Sequence, residues 1–90
     1  MPQYLVERRL PGFTIEQLMG AAGAAKRTTA EMTSEGKPVR YLRSTFIPGE
    51  DKCFCLFEAA SPEVVREANV RAGLPLERIV EAAHISAQEV

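Results

Sequence analysis

The chain opens with YLVERR (4–9), a short run of strand-compatible residues closed by Pro11-Gly12, which predicts a first β-strand. The hydrophobic period then lengthens. Ile15, Leu18, Ala22, Ala25, Thr29 and Met32 recur at steps of three and four, the spacing of one helix face, and Thr14 with Gln17 has the form of a capping box that opens the helix. Gly20 and Gly23 inside it each cost about 1 kcal/mol relative to Ala, and read either as a close backbone contact or as a tolerated weakness. Gly36 and Pro38 end the helix.

The strand pattern returns in VRYLRSTFI (39–47), rich in β-branched and aromatic residues. PGEDK is a turn, and CFCLFE (53–58) comes after it as a third strand, apolar on both faces, which predicts a central position with its second face also covered. Ser61 and Pro62 supply an N-cap and a first helical residue. Val64, Val65, Ala68 and Ala72 form a second helical stripe that Gly73 and Pro75 terminate, and RIVEAAHI (78–85) is the fourth strand. The order βαββαβ predicts an α+β, ferredoxin-like fold: a four-stranded antiparallel sheet with two helices on one face. Residues 1–85 form a single domain and 86–90 a C-terminal tail.

Composition narrows the partners. Ninety residues close one modest core, and the balance of 46% apolar to 26% charged residues is that of a soluble globular protein. A net charge of −1 gives no field for holding a polyanion, so nucleic acid is not an expected partner. No run resembles a secretory leader or the roughly 20 apolar residues of a membrane span, so a cytoplasmic protein without membrane contact is expected. The helix-free sheet face carries apolar residues, and a second copy of the chain is its simplest cover, which predicts a homodimer packed through the sheets.

The candidate chemistry centres on Cys53 and Cys55, the only cysteines. Two apart on a strand, they share one face about 7 Å apart, a poor geometry for a mutual disulfide, and two free thiols suit a reducing compartment. They read either as small core residues or, with help from neighbouring strands, as two thiolate ligands for a soft or borderline metal. Glu7 on the adjoining first strand and His84, the only histidine, are the further metal-ligand candidates; Glu58 is a strand-end acid of the same kind. Arg8, Arg9, Arg40 and Arg43 bring guanidinium groups to adjacent strands, where they could seat an anion. RNA-recognition domains share this element order, but the glycines of their third-strand motif are replaced here by Cys53 and Cys55. No Ser-His-Asp set, phosphate loop or dinucleotide fingerprint occurs, so the sequence leans away from an enzyme.

Several segments, YLVERRLPGFT, YLRSTFI, CLFEAASPEVVREA and RAGLPLERIVEA, together give the chain from about Met1 to Ile85 a resemblance to a family of short bacterial proteins catalogued as a domain of unknown function, one branch of which is nickel-binding. The resemblance implies a ferredoxin-like protomer, a dimer, and a nickel site at or near the subunit interface. It favours Cys55 over Cys53, because Cys55 falls at the family's usual position. Many relatives carry a His in the second helix after Arg-Glu; here Arg66-Glu67 is followed by Ala68.

The residues allow three readings of function. In the first, a small metal-binding protein holds Ni²⁺ or Zn²⁺ between Cys55, Cys53, Glu7 and His84. In the second, an enzyme or accessory protein takes a small apolar or anionic molecule into a pocket between sheet and helices or between two sheets, with Tyr4, Tyr41 and Arg43 positioning it and Cys55 or Glu7 reacting. In the third, an interaction domain simply keeps its cysteines in the core.

Overall fold

A computed structural model describes residues 1–90. Its elements are β1 (Gln3–Arg9), α1 (Ile15–Ser34), β2 (Val39–Ile47), β3 (Lys52–Ala59), α2 (Pro62–Arg71) and β4 (Arg78–Ala82), with single 3-10 turns at Pro48–Glu50 and Ala87–Glu89. The sheet is antiparallel in the order β2-β3-β1-β4, so the doubly apolar β3 is central, as its composition requires. Both helices lie on one face. The core cluster joins Tyr4, Val6, Cys53, Cys55, Phe57 and Ala59 from the sheet to Ala25 and Met32 of α1 and Val65 and Ala68 of α2. This is the ferredoxin-like α+β arrangement.

Local chemistry sets the helix ends. The Thr14 hydroxyl accepts from Gln17 N–H at 3.1 Å while the Gln17 side chain accepts from Thr14 N–H at 2.9 Å, which completes the capping box. The Ser61 hydroxyl caps α2 in the same sense, with Pro62 at its first position. Both helices close with paired turn bonds around a glycine of positive φ, Gly36 and Gly73; after α2, Leu74 N–H reaches Asn69 O and Gly73 N–H reaches Val70 O. That turn directs Leu74 and Pro75 back toward the sheet.

Two expectations change. Ile15, in the first turn of α1, is exposed, and the buried part of that helix begins further along, at Ala25, Thr28, Thr29 and Met32. β4 ends at Ala82, so Ala83, His84 and Ile85 lie beyond the ladder. Gly20 faces open space and the only close neighbour of Gly23 is the end of the Arg27 side chain, so the two glycines are tolerated weaknesses and not backbone contacts.

Register sorts the chemistry by face. On β1, Tyr4, Val6 and Arg8 point under the helices while Leu5, Glu7 and Arg9 point to the open side; on β3, Cys53, Cys55 and Phe57 take the covered side. A bulge on β2 between Tyr41 and Arg43 inserts one residue opposite β3. It changes the strand's parity, so Tyr41 opposite Phe57 and Ser44 opposite Cys55 both face the helices although they are three residues apart.

Candidate functional site

The covered face of the sheet holds a buried polar chain. Cys53 and Cys55 are 0% and 4% exposed, with their sulfurs 3.7 Å apart. The Ser44 hydroxyl lies 3.0 Å from Cys55 Sγ, and Tyr41 Oη lies 2.6 Å from Ser44 Oγ. On the other flank, Arg8 Nε–H donates to Cys55 Sγ at 3.3 Å and Nη1 donates to the Pro75 carbonyl at 3.1 Å. Arg8 is 1% exposed, and its Nη2 is buried with no partner.

A buried guanidinium is costly unless a counter-charge and hydrogen bonds meet it. No carboxylate comes within ion-pair distance of Arg8. Cys55 is the one acidic group in contact with it, and its surroundings favour the thiolate form. The Cys53 thiol donates to it, which is the largest influence; burial opposes, and the charge of Arg8 and the Ser44 bond add to the lowering, so the pKa falls to about 6. Cys53 moves the other way, raised by its bond to Cys55 and by burial, and stays a neutral thiol. Burial also raises the Tyr41 phenol, which keeps it a hydrogen-bond donor to Ser44.

Beside this pair lies a small cavity of about 10 Å³, close to the volume that one water needs. Arg8, Ser44, Tyr41 and Cys55 form its polar wall, and Leu10, Leu18, Leu74 and three alanines of α1 form its apolar wall. The covered face therefore joins a thiol pair, with the pKa of Cys55 lowered, to a guanidinium and a space for one small atom.

The other residues singled out in the sequence disperse. Glu7 lies on the open face opposite Phe54, with Arg78 at 2.8 Å and Lys52 at 3.4 Å; the Arg78 bond in particular holds its carboxyl below the usual range. Glu58 is likewise paired with Arg40 at 3.4 Å. Arg43 and His84 both border a hollow of about 260 Å³ on that face, floored by Leu5, Phe54 and Leu56. Tyr4 is buried on the covered face next to Phe57, so Tyr4, Tyr41 and Arg43 do not converge on one ligand. The structure thus joins Cys53 and Cys55, adds Arg8 and Ser44, and places Glu7 and His84 on the far side of the sheet. Arg8 was visible as the third member of the Tyr4, Val6, Arg8 alternation. Ser44 left no such signal, because the bulge that turns it inward has none.

The pattern of known proteins now bears on the site. A family model described as nickel responsive protein SCO4226-like matches residues 4–82. The chain belongs to this family. In the crystal structure of SCO4226 from Streptomyces coelicolor A3(2), the fold is shared at a TM-score of 0.76 and 24% identity, over 93% of this chain and 99% of that one. No curated protein matches the chain.

The SCO4226-like description raises the question of whether these residues suit nickel. Two thiolates on one tetrahedral ion at about 2.3 Å stand about 3.8 Å apart, so the sulfur spacing itself is compatible with a shared metal. The rest is not. No group of three or more His, Cys, Asp and Glu side chains gathers anywhere in the chain, Ala68 is a buried core residue of α2, and a guanidinium nitrogen already sits 3.3 Å from Cys55 Sγ. Within one protomer, the four-ligand set of Cys55, Cys53, Glu7 and His84 is divided between the two faces of the sheet and forms no metal centre.

Proposed function

We propose that this member of the nickel-responsive family is a small, non-catalytic binding and sensing protein that works through the Cys55 thiolate and not through a resident metal. The observation that carries the reading is Arg8, a buried cation whose only acidic contact is Cys55 Sγ. A thiolate so held is a ready nucleophile toward soft, thiophilic species, and the neutral Cys53 thiol and Ser44 hydroxyl steady its charge. A pH titration of thiolate absorbance tests this. The wild type should show a transition near pH 6, below the ordinary cysteine value of about 8.5, and Arg8→Met should raise it. A wild-type midpoint at the ordinary value would overturn the reading.

The open sheet face supports a homodimer. Leu5, Phe54, Leu56 and Val80 form its apolar middle, with the Arg40–Glu58 pair toward one end and Glu7 with Lys52 and Arg78 toward the other. A two-fold copy would lay apolar centre on apolar centre and leave both charge clusters on the rim. No helix is long and apolar enough to cross a membrane, which suits action in the cytoplasm. Native mass spectrometry of the untagged chain with and without added Ni²⁺ should show a dimer at micromolar concentration and no stoichiometric nickel. A monomer would remove the dimer, and a stoichiometric nickel adduct would restore the metal-binding reading.

A further inference from the structure

The cavity at Cys55 is too small for an organic ligand but large enough for one oxygen atom, and Arg8, whose buried Nη2–H has no partner, is one of the residues that line it. We infer that this space is an acceptor site for oxidation: a hydroperoxide converts Cys55 to a sulfenate whose oxygen fills the cavity and accepts from Arg8 Nη2. The inference rests on the thiolate reading above and adds its substrate class and its product.

The chemistry balances without another reagent. A lone pair on Cys55 Sγ attacks the terminal peroxide oxygen, the S–O bond forms as the O–O bond breaks, and the departing alkoxide or hydroxide takes the proton of the new S–OH group. The sulfur loses two electrons, the peroxide gains them, and the products are a sulfenate and an alcohol or water. Entry is short, because Leu18, Ala21, Ala22 and Leu74 of the wall are only half-buried.

The fate of the oxidised sulfur is set by β3. A sulfenate next to a thiol ordinarily condenses to a disulfide, and Cys53 is at hand. Yet two residues apart on an extended strand the Cα atoms stand about 6.8 Å apart, at the outer limit for a disulfide, and the sulfurs would have to close from 3.7 Å to about 2.05 Å inside a central, fully laddered strand. The sulfurs touch, but closing the bridge would strain a strand paired on both sides, and Arg8 gives the oxygen a partner. The sulfenate is therefore the resting oxidised form and not an intermediate.

The test is intact-mass spectrometry of the full chain after one equivalent of hydrogen peroxide, with a cyclic 1,3-diketone as the sulfenate trap. The expected result is a persistent gain of one oxygen, trapped at Cys55, still formed at Cys55 in Cys53→Ser and at least tenfold shorter-lived in Arg8→Met. Loss of two hydrogens, the mark of a Cys53–Cys55 disulfide, would overturn the inference, as would no reaction, direct passage to two or three oxygens, or oxygen found only on methionine. If the thiolate titrates near pH 6 and the disulfide still forms, only this inference fails; an ordinary thiol pKa removes the proposed function with it.

Discussion

Glu7 and Arg8 are neighbours on one strand, yet they belong to opposite electrostatic regimes. Glu7 faces the open side with two cations around it, both on exposed side chains, where water and salt screen the attraction. Arg8 faces the helices, has no carboxylate, and meets a thiol, a backbone carbonyl and a cavity. On this balance of screening and burial, the residue with more ionic contacts is expected to contribute less. What decides the worth of a charge here is which side of the pleat it occupies, and one residue of register separates the two.

The largest break in this comparison should come from Cys55→Ala, which removes the only counter-charge of a buried guanidinium and costs about 3 kcal/mol or more at pH 8 in urea unfolding. The sign with pH comes from linkage. The folded value of Cys55, about 6, lies below the unfolded value of about 8.5, so its contribution is complete above the latter and is lost as pH falls through the former. The gap between wild type and Cys55→Ala should therefore narrow markedly by about pH 5; a gap independent of pH would mean that Cys55 stabilises only by packing. At the small end, Glu7→Gln should barely move the urea midpoint at any ionic strength, and a loss comparable to that of Cys55→Ala would erase the distinction between the faces.

Most of the fold was legible because its signals are local. Thr14 with Gln17, Ser61 with Pro62, and the glycines and prolines at element ends each act within a few residues, and β2 runs over the residues its composition marks. The thiol pair was legible for the same reason, since parity alone puts Cys53 and Cys55 on one face. The rest of the site depended on features that parity does not carry. Arg8 shares its alternation with Tyr4 and Val6, but the general rarity of buried arginine argues for the surface, and only the Pro75 carbonyl and Cys55 make burial tolerable. Ser44 needed the β2 bulge, and the separation of Glu7 from the cysteines needed the β1–β3 register, neither of which a single sequence specifies. His84 lies past Ala82, where the β4 ladder stops, although the apolar pattern of the sequence runs on to Ile85.

The place of β1 in the sheet also governs the order of events as the chain leaves the ribosome. β2 and β3 are joined by a short turn and can pair at once, with Ile47 opposite Lys52. β1 is made first, but its nearest ladder partner is Lys52, opposite Arg9, and its other edge waits for Arg78. Arg8 thus remains hydrated through most of synthesis. It leaves water only when the strand bearing Cys55 and the turn bearing Pro75 have both been made, so the groups that satisfy it arrive before the cost of burying it is incurred.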